Sequence, residues 1–173
     1  MIPMSLVGVR VEVPSNQPIV LLRENEGQRY LPIFIGQPEA TAIVYALQGT
    51  ETPRPMTHDL FKSVLDDLGT KVLQVSITEL HDGTFFAEIE FTRDGGTYRI
   101  SSRPSDAIAL ALRCQAPIHV ADTVFRASLV NTLVYIAGST ALITVVGLGL
   151  ALAISTGVPG ARFSMMAMLS PPQ

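Results

Sequence analysis

No charged residue occurs between Ala127 and Ala161, and that gap divides the chain into two pieces of different chemistry. All 15 Asp and Glu stand at or before Asp122, and all but one of the 12 Lys and Arg stand at or before Arg126. The first piece carries eleven basic against fifteen acidic residues, a net charge of −4, and the second carries only Arg162. Residues 129–154 are mostly Leu, Val, Ile, Ala and Gly, broken by Asn131, Thr132, Ser139, Thr140 and Thr144. As a helix this run of 26 residues reaches ~39 Å at about 1.5 Å per residue, more than the ~30 Å hydrocarbon core of a bilayer. A surface helix of a globular domain carries a charged stripe, and this run has none. The expectation is a soluble domain over residues 1–126 and an apolar segment over 127–173 with a transmembrane helix at 129–154.

Composition adds a few exclusions. Cys114 stands alone, which rules out a disulfide framework and a cysteine-based zinc site and suits a small buried hydrophobe. Met1-Ile2-Pro3-Met4 supplies neither the basic nor the apolar region of a secretory leader. The soluble domain is therefore expected in the cytoplasm, anchored through 129–154, and Arg113 and Arg126 against Arg162 agree with that orientation.

Within residues 1–126 the periodicities alternate between two and about 3.6. Strands are expected at 5–13, 19–23 and 30–35, the last an edge or bulge because of Pro32. Pro38 opens a helix that Gly49 stops, and Thr57 caps a second helix over 58–68. Strands at 72–80, 84–92 and 97–102 form a meander, turned by His81-Asp82-Gly83 and Asp94-Gly95-Gly96. An amphipathic helix over 105–114 and a short strand at 118–120 complete the domain. That order predicts an α+β fold: a mainly antiparallel sheet with helices packed on it, followed by the apolar C-terminal helix.

The richest chemistry lies in the elbow Ser101-Ser102-Arg103-Pro104-Ser105-Asp106, at the start of the third helix. Free N–H groups and a partial positive charge at a helix start can hold a phosphate or carboxylate, and Arg103 adds a bidentate fork. Plain capping accounts for the same residues: Ser102 or Ser105 satisfies a backbone N–H, Pro104 starts the helix and Asp106 complements its dipole.

This elbow resembles the signature of the bifunctional nuclease domain family. Three further segments follow in the family's order: Arg29-Tyr30-Leu31-Pro32-Ile33-Phe34-Ile35-Gly36 with Glu39-Ala40, Arg54-Pro55-Met56-Thr57-His58-Asp59-Leu60, and Gly83-Thr84-Phe85-Phe86-Ala87. With the turn Asn16-Gln17-Pro18 they cover about residues 4–122. The resemblance implies cleavage of DNA and RNA with nucleic acid as the partner, and a homo-oligomer is expected. The apolar tail departs from the pattern, since such domains are expected to continue into a polar or acidic region.

Phosphodiester hydrolysis needs a base or metal to activate water, charge stabilisation at phosphorus and an acid for the leaving oxygen. The candidates are Arg103, Ser102 and Ser105 for phosphate, Asp59 and Glu39 for activating water or holding a cation, His58 as proton donor and Asp106 to orient Arg103. Imidazole titrates near neutrality, which suits His58 to proton transfer. The chemistry admits a divalent metal, Mg²⁺ or Mn²⁺, although no spaced cluster has the specificity of a metal motif. Against a nuclease stands the net −4 of the domain, because affinity for nucleic acid comes largely from neutralising phosphates. The alternative is a non-enzymatic oligomeric binding or regulatory module whose elbow grips an anionic ligand or partner.

Overall fold

The structure is a computed structural model and describes the backbone of residues 1–13 and 15–155, with all their side chains except those of 127–135. Pro14, Arg162 and everything else from 156 on lie outside the described residues. Seven strands and four helices are found among the described residues. They follow as β1 (Ile2–Glu12), β2 (Gln17–Glu24), β3 (Tyr30–Phe34), α1 (Gln37–Gln48), α2 (Thr57–Asp67), β4 (Lys71–His81), β5 (Thr84–Arg93), β6 (Gly96–Ser102), α3 (Pro104–Cys114), β7 (Ile118–Val120) and α4 (Asp122–Ser155). The α+β class and the order of elements are those expected from the sequence.

One sheet holds all seven strands, in the order β3-β2-β1-β7-β4-β5-β6. Two antiparallel meanders, β1–β3 and β4–β6, are joined by β7, which pairs antiparallel with β1 (Ile2↔Val120) and parallel with β4 (Val75↔Ile118, Ile77↔Val120). That pairing explains why β1 begins at Ile2, three residues before the alternation announces it: Ile2, Pro3 and Met4 are the residues that meet β7. Both turns of the second meander place their two central residues at positive φ, Asp82 (48°) with Gly83 (74°) and Asp94 (51°) with Gly95 (78°), as tight two-residue hairpins require. Pro32 sits on β3 at the sheet's edge, where a missing N–H is tolerated.

The sheet buries the face that carries Val20, Leu22, Leu31, Ile33, Val75, Ile77, Ala87, Ile89, Ile118 and Val120. Helix α3 packs against β4 and β5 and is flanked by α1 and α2. The sequence suggests an amphipathic α3, but its five consecutive residues Ala107–Ala111 are all 0–1% exposed. The polar residues sit at the two ends of the helix, and the small alanines between them let neighbours close on every side. Burying Ile108 and Leu110 contributes about 1.5–3 kcal/mol each. The first turn of α4 adds Val124 and Phe125 to the same core, and the Arg29 guanidinium lies 4.8 Å from the Phe125 ring centre.

The chain divides into two compact units, Met1–Ser128 and Leu129–Gln173. In the second, Ile136–Ser155 is a 20-residue helical stretch of mean hydropathy 2.0, long and apolar enough to cross a membrane. Its large side chains stand in the open, Leu142 at 65% and Ile143 at 71% exposure.

Candidate functional site

Three helices begin at one place. The chain leaves β3 through Ile35 and Gly36, and Gly36 is the extended residue before α1. A Cβ on Gly36 would meet the carboxylate end of Glu39, which would have to swing aside. Met56 precedes α2, one residue earlier than a Thr57 cap implies, and its N–H donates to Asp59 Oδ2 at 3.0 Å. Arg103 itself precedes α3, with Pro104 in the first turn. No side chain caps α1 or α3, so capping by Ser102 or Ser105 does not occur. Ser102 Oγ is buried without a hydrogen-bond partner, and Ser105 is buried at 7% exposure.

Arg103 stands at the centre. Its Nε and Nη2 donate to the two oxygens of Asp106 at 2.8 and 3.1 Å, and its Nη1 meets Glu39 Oε1 at 2.9 Å. The Arg103 side chain is 66% exposed, whereas Glu39 is held at 17%. Asp106 Oδ1 also pairs with His58 Nε2 at 3.3 Å. Asp106 is therefore shared between a guanidinium and an imidazole, and one carboxylate fixes both. Burial works to raise the Asp106 carboxyl, but hydrogen bonds from Arg103 and His58 outweigh it and hold the group below the ordinary carboxylate range. The bonds to Asp106 raise Arg103 further above its ordinary value.

Asp59 turns elsewhere. Its carboxylate receives Arg113 Nε as well as the Met56 N–H, and Arg113 is almost fully buried. Arg113 also donates to the carbonyls of Ala109 and Ala42 at 2.9 and 3.2 Å, so one side chain ties α1, α2 and α3 together. Burial opposes ionisation of Asp59, yet the bonds from Arg113 and Met56 keep its carboxyl low. Both Asp59 oxygens are engaged in holding the helices, Oδ1 by Arg113 and Oδ2 by the Met56 N–H. The neighbouring His58 and Asp59 reach Asp106 and Arg113, two turns and about 10 Å apart on one face of α3. Arg113 was not legible as a functional position, since its only local signal is a cation in a last helical turn.

Two clefts meet at this cluster. One, of about 250 Å³, is lined by Pro38, Glu39, Ala42, Met56, Thr57, His58, Arg103 and Asp106. The other, of about 300 Å³, is lined by residues from Ile33 to Gly36, Gly83 to Phe85 and Arg103 to Ser105, and it shares Glu39 and Arg103 with the first. All four sequence segments that carry the family resemblance therefore border these clefts. Of the candidate residues, Glu39, His58, Arg103 and Asp106 converge, Ser105 borders the second cleft, and Ser102 and Asp59 stand apart. No group of three or more His, Cys, Asp or Glu is placed to hold a metal ion among the described residues. Glu39 and Asp106 give their oxygens to Arg103.

Residues 20–132 match the family profile of the bifunctional nuclease domain, a match that runs into the first turns of α4. An uncharacterized protein of Mycobacterium tuberculosis is 50% identical over 119 residues, which cover 69% of this chain and 71% of that protein. Bifunctional nuclease 1 of Oryza sativa subsp. japonica is 30% identical over 105 residues, covering 59% of this chain and 32% of the plant protein. Bifunctional nuclease 2 of Arabidopsis thaliana is 31% identical over 105 residues, with the same 59% and 32%. The chain spans about a third of each of these plant proteins.

The division of labour between the two neighbouring residues is open to test by stability. Asp59→Ala leaves Arg113 buried without its charge partner and should cost about 3 kcal/mol in denaturant unfolding. The stabilisation from Asp59 is complete above the ordinary carboxylate value of ~4 and is lost as pH falls through its lower folded value, so Asp59→Asn should flatten acid unfolding in that window. An Asp59→Ala protein as stable as the parent would remove the structural role.

Proposed function

The chain belongs to the bifunctional nuclease domain family, and on that premise we propose that it hydrolyses phosphodiester bonds in DNA and RNA where its three helix starts converge. The observation that carries this reading is the sharing of Asp106 between Arg103 and His58. Arg103 is the phosphate-binding group: its fork is exposed on one side, and an entering phosphate displaces Glu39 from Nη1. Asp106 accepts from His58 Nε2 and so leaves Nδ1 with the lone pair. Through that atom His58 takes a proton from water as the new P–O bond forms. The breaking P–O bond leaves an alkoxide oxygen, which takes the proton back from His58. Water and a diester thus become a monoester and an alcohol, with no proton left over. Asp106 holds the Arg103 fork in place through Nε and Nη2, and the free N–H groups at the starts of α1 and α3 add positive potential.

We further place this domain at the cytoplasmic side of a membrane, tethered through the apolar part of α4, and working as a homo-oligomer. The exposed apolar stretch Ile136–Ser155 supports the tether. Self-association is supported by an apolar stripe along α2 and its cap residue (Leu60, Val64 and Leu68), and by Phe61, Tyr98 and Ile100, which line one cleft, each 42–58% exposed.

The assay is cleavage of single-stranded RNA and of DNA by the full chain, with Mg²⁺, Mn²⁺ or EDTA. Arg103→Ala should lower the rate by about 10²–10³-fold and His58→Ala by about 10²–10⁴-fold. The thermal midpoint of Arg103→Ala should barely move, because exposed ion pairs contribute little. Undiminished cleavage by a folded Arg103→Ala protein would overturn the assignment. Tether and oligomer are tested together: the full chain should float with phospholipid vesicles and, in detergent, sediment at a multiple of the monomer mass. A chain that neither floats nor exceeds the monomer mass has neither property.

A further inference from the structure

The cleft beside the His58 site is formed by the end of β3, the β4–β5 turn and the start of α3, and it has a different character from its neighbour. Two aromatic residues border it, Phe34 at 51% exposure and the partly buried Phe85, with Ile33 and Pro104. A single exposed aromatic residue on a surface needs no explanation, but two aromatic residues bordering one concavity beside the Arg103 guanidinium do. Arg103 lies on the boundary of both clefts, so a group seated among the rings is one residue away from a phosphate on the guanidinium.

We propose that this second cleft receives one unpaired nucleobase, the base next to the phosphate held by Arg103, and that the preferred substrate is single-stranded nucleic acid. This rests on the nuclease reading of the neighbouring cleft. A nucleobase is a flat, neutral π system, which aromatic rings bind by stacking whatever the base identity. Gly36 and Gly83 leave backbone bare at the cleft's border, and the Thr84 hydroxyl is there for the polar edge of a base. A base within a duplex is stacked and paired and reaches such a cleft only by being flipped out. Rings that hold the base have no use for the 2′-hydroxyl, so DNA and RNA strands fit alike.

The proposal also answers the domain's acidity. Arg103 is outnumbered by Glu39 and Asp106, and the soluble part carries net −4, so neutralisation of phosphates is a weak source of affinity here. Stacking supplies affinity that does not depend on net charge. Binding should accordingly fall only shallowly with salt, with the slope of about one phosphate contact rather than six to ten.

The experiment uses the full chain with ten-nucleotide RNA and DNA strands, their duplexes, and a strand with one abasic site. Cleavage rates and fluorescence-anisotropy affinities are measured for the parent, Phe34→Ala and Phe34→Tyr, each checked for folding by circular dichroism. Single strands should be cut at least about tenfold faster than duplexes, and cutting next to the abasic position should be suppressed to a similar degree. Phe34→Ala should raise KM about tenfold with a smaller change in kcat, and Phe34→Tyr should restore it. Equal cutting of single, duplex and abasic substrates, with Phe34→Ala unchanged, overturns the base cleft and leaves the nuclease reading standing. If the parent cuts nothing, the nuclease reading fails instead. Anisotropy then decides the cleft alone: strand binding lost in Phe34→Ala upholds it, and no binding, or binding indifferent to Phe34, overturns it.

Discussion

Because α3 is enclosed on every side, its two ends cannot move independently of the sheet or of the other helices. Ala107–Ala111 are sealed among β4, β5, α1 and α2, so Asp106 at one end and Arg113 at the other are fixed points. The first turn of α2 grips both, His58 reaching Asp106 and Asp59 reaching Arg113. Arg113 carries the constraint on to α1 through the Ala42 carbonyl. The long side chain runs back along its own helix, as helical side chains do, to bond the Ala109 carbonyl on the way. The position of the His58–Asp106–Arg103 cluster is therefore a consequence of core packing, and the Arg103 fork is the part of it most open to solvent.

The division of charge follows the same frame. The half-buried Asp59 and the buried Arg113 side chain form a structural pair, and the exposed side of the cluster holds Arg103 between two carboxylates. A buried pair stabilises mainly in the sense that removing one partner is expensive. An exposed cation held by two anions is different: it is weakly stabilising and can exchange a carboxylate for a phosphate at little cost. In the proposed mechanism, two adjacent residues of one helix serve stability and chemistry separately.

How much of this was legible depends on how local each signal is. The two-residue turns at Asp82-Gly83 and Asp94-Gly95, Pro32 on an edge strand and Gly49 after α1 are encoded within a few residues, and the structure agrees with them. The insertion of β7 between two meanders is not local: three residues pair with partners more than forty and a hundred positions away. The partners of Asp59 and His58 were equally illegible, because Arg113 and Asp106 lie 54 and 48 positions distant. The serines of the elbow misled for a different reason. Their residue type is what a cap prefers, but Pro104 sets the helix start so that Arg103 occupies the capping position. The tail's apolarity was plain in composition and is matched by the exposed helix at Ile136–Ser155.

The central claim is that His58 and Asp106 work as one unit, and a double-mutant cycle on kcat measures that directly. The full chain, His58→Ala, Asp106→Asn and the double variant would be compared on one single-stranded substrate after each is shown to fold. Residues acting as a unit are strongly non-additive, so the double variant should lose little more activity than His58→Ala alone. Losses that multiply, as for two independent sites, would contradict the account.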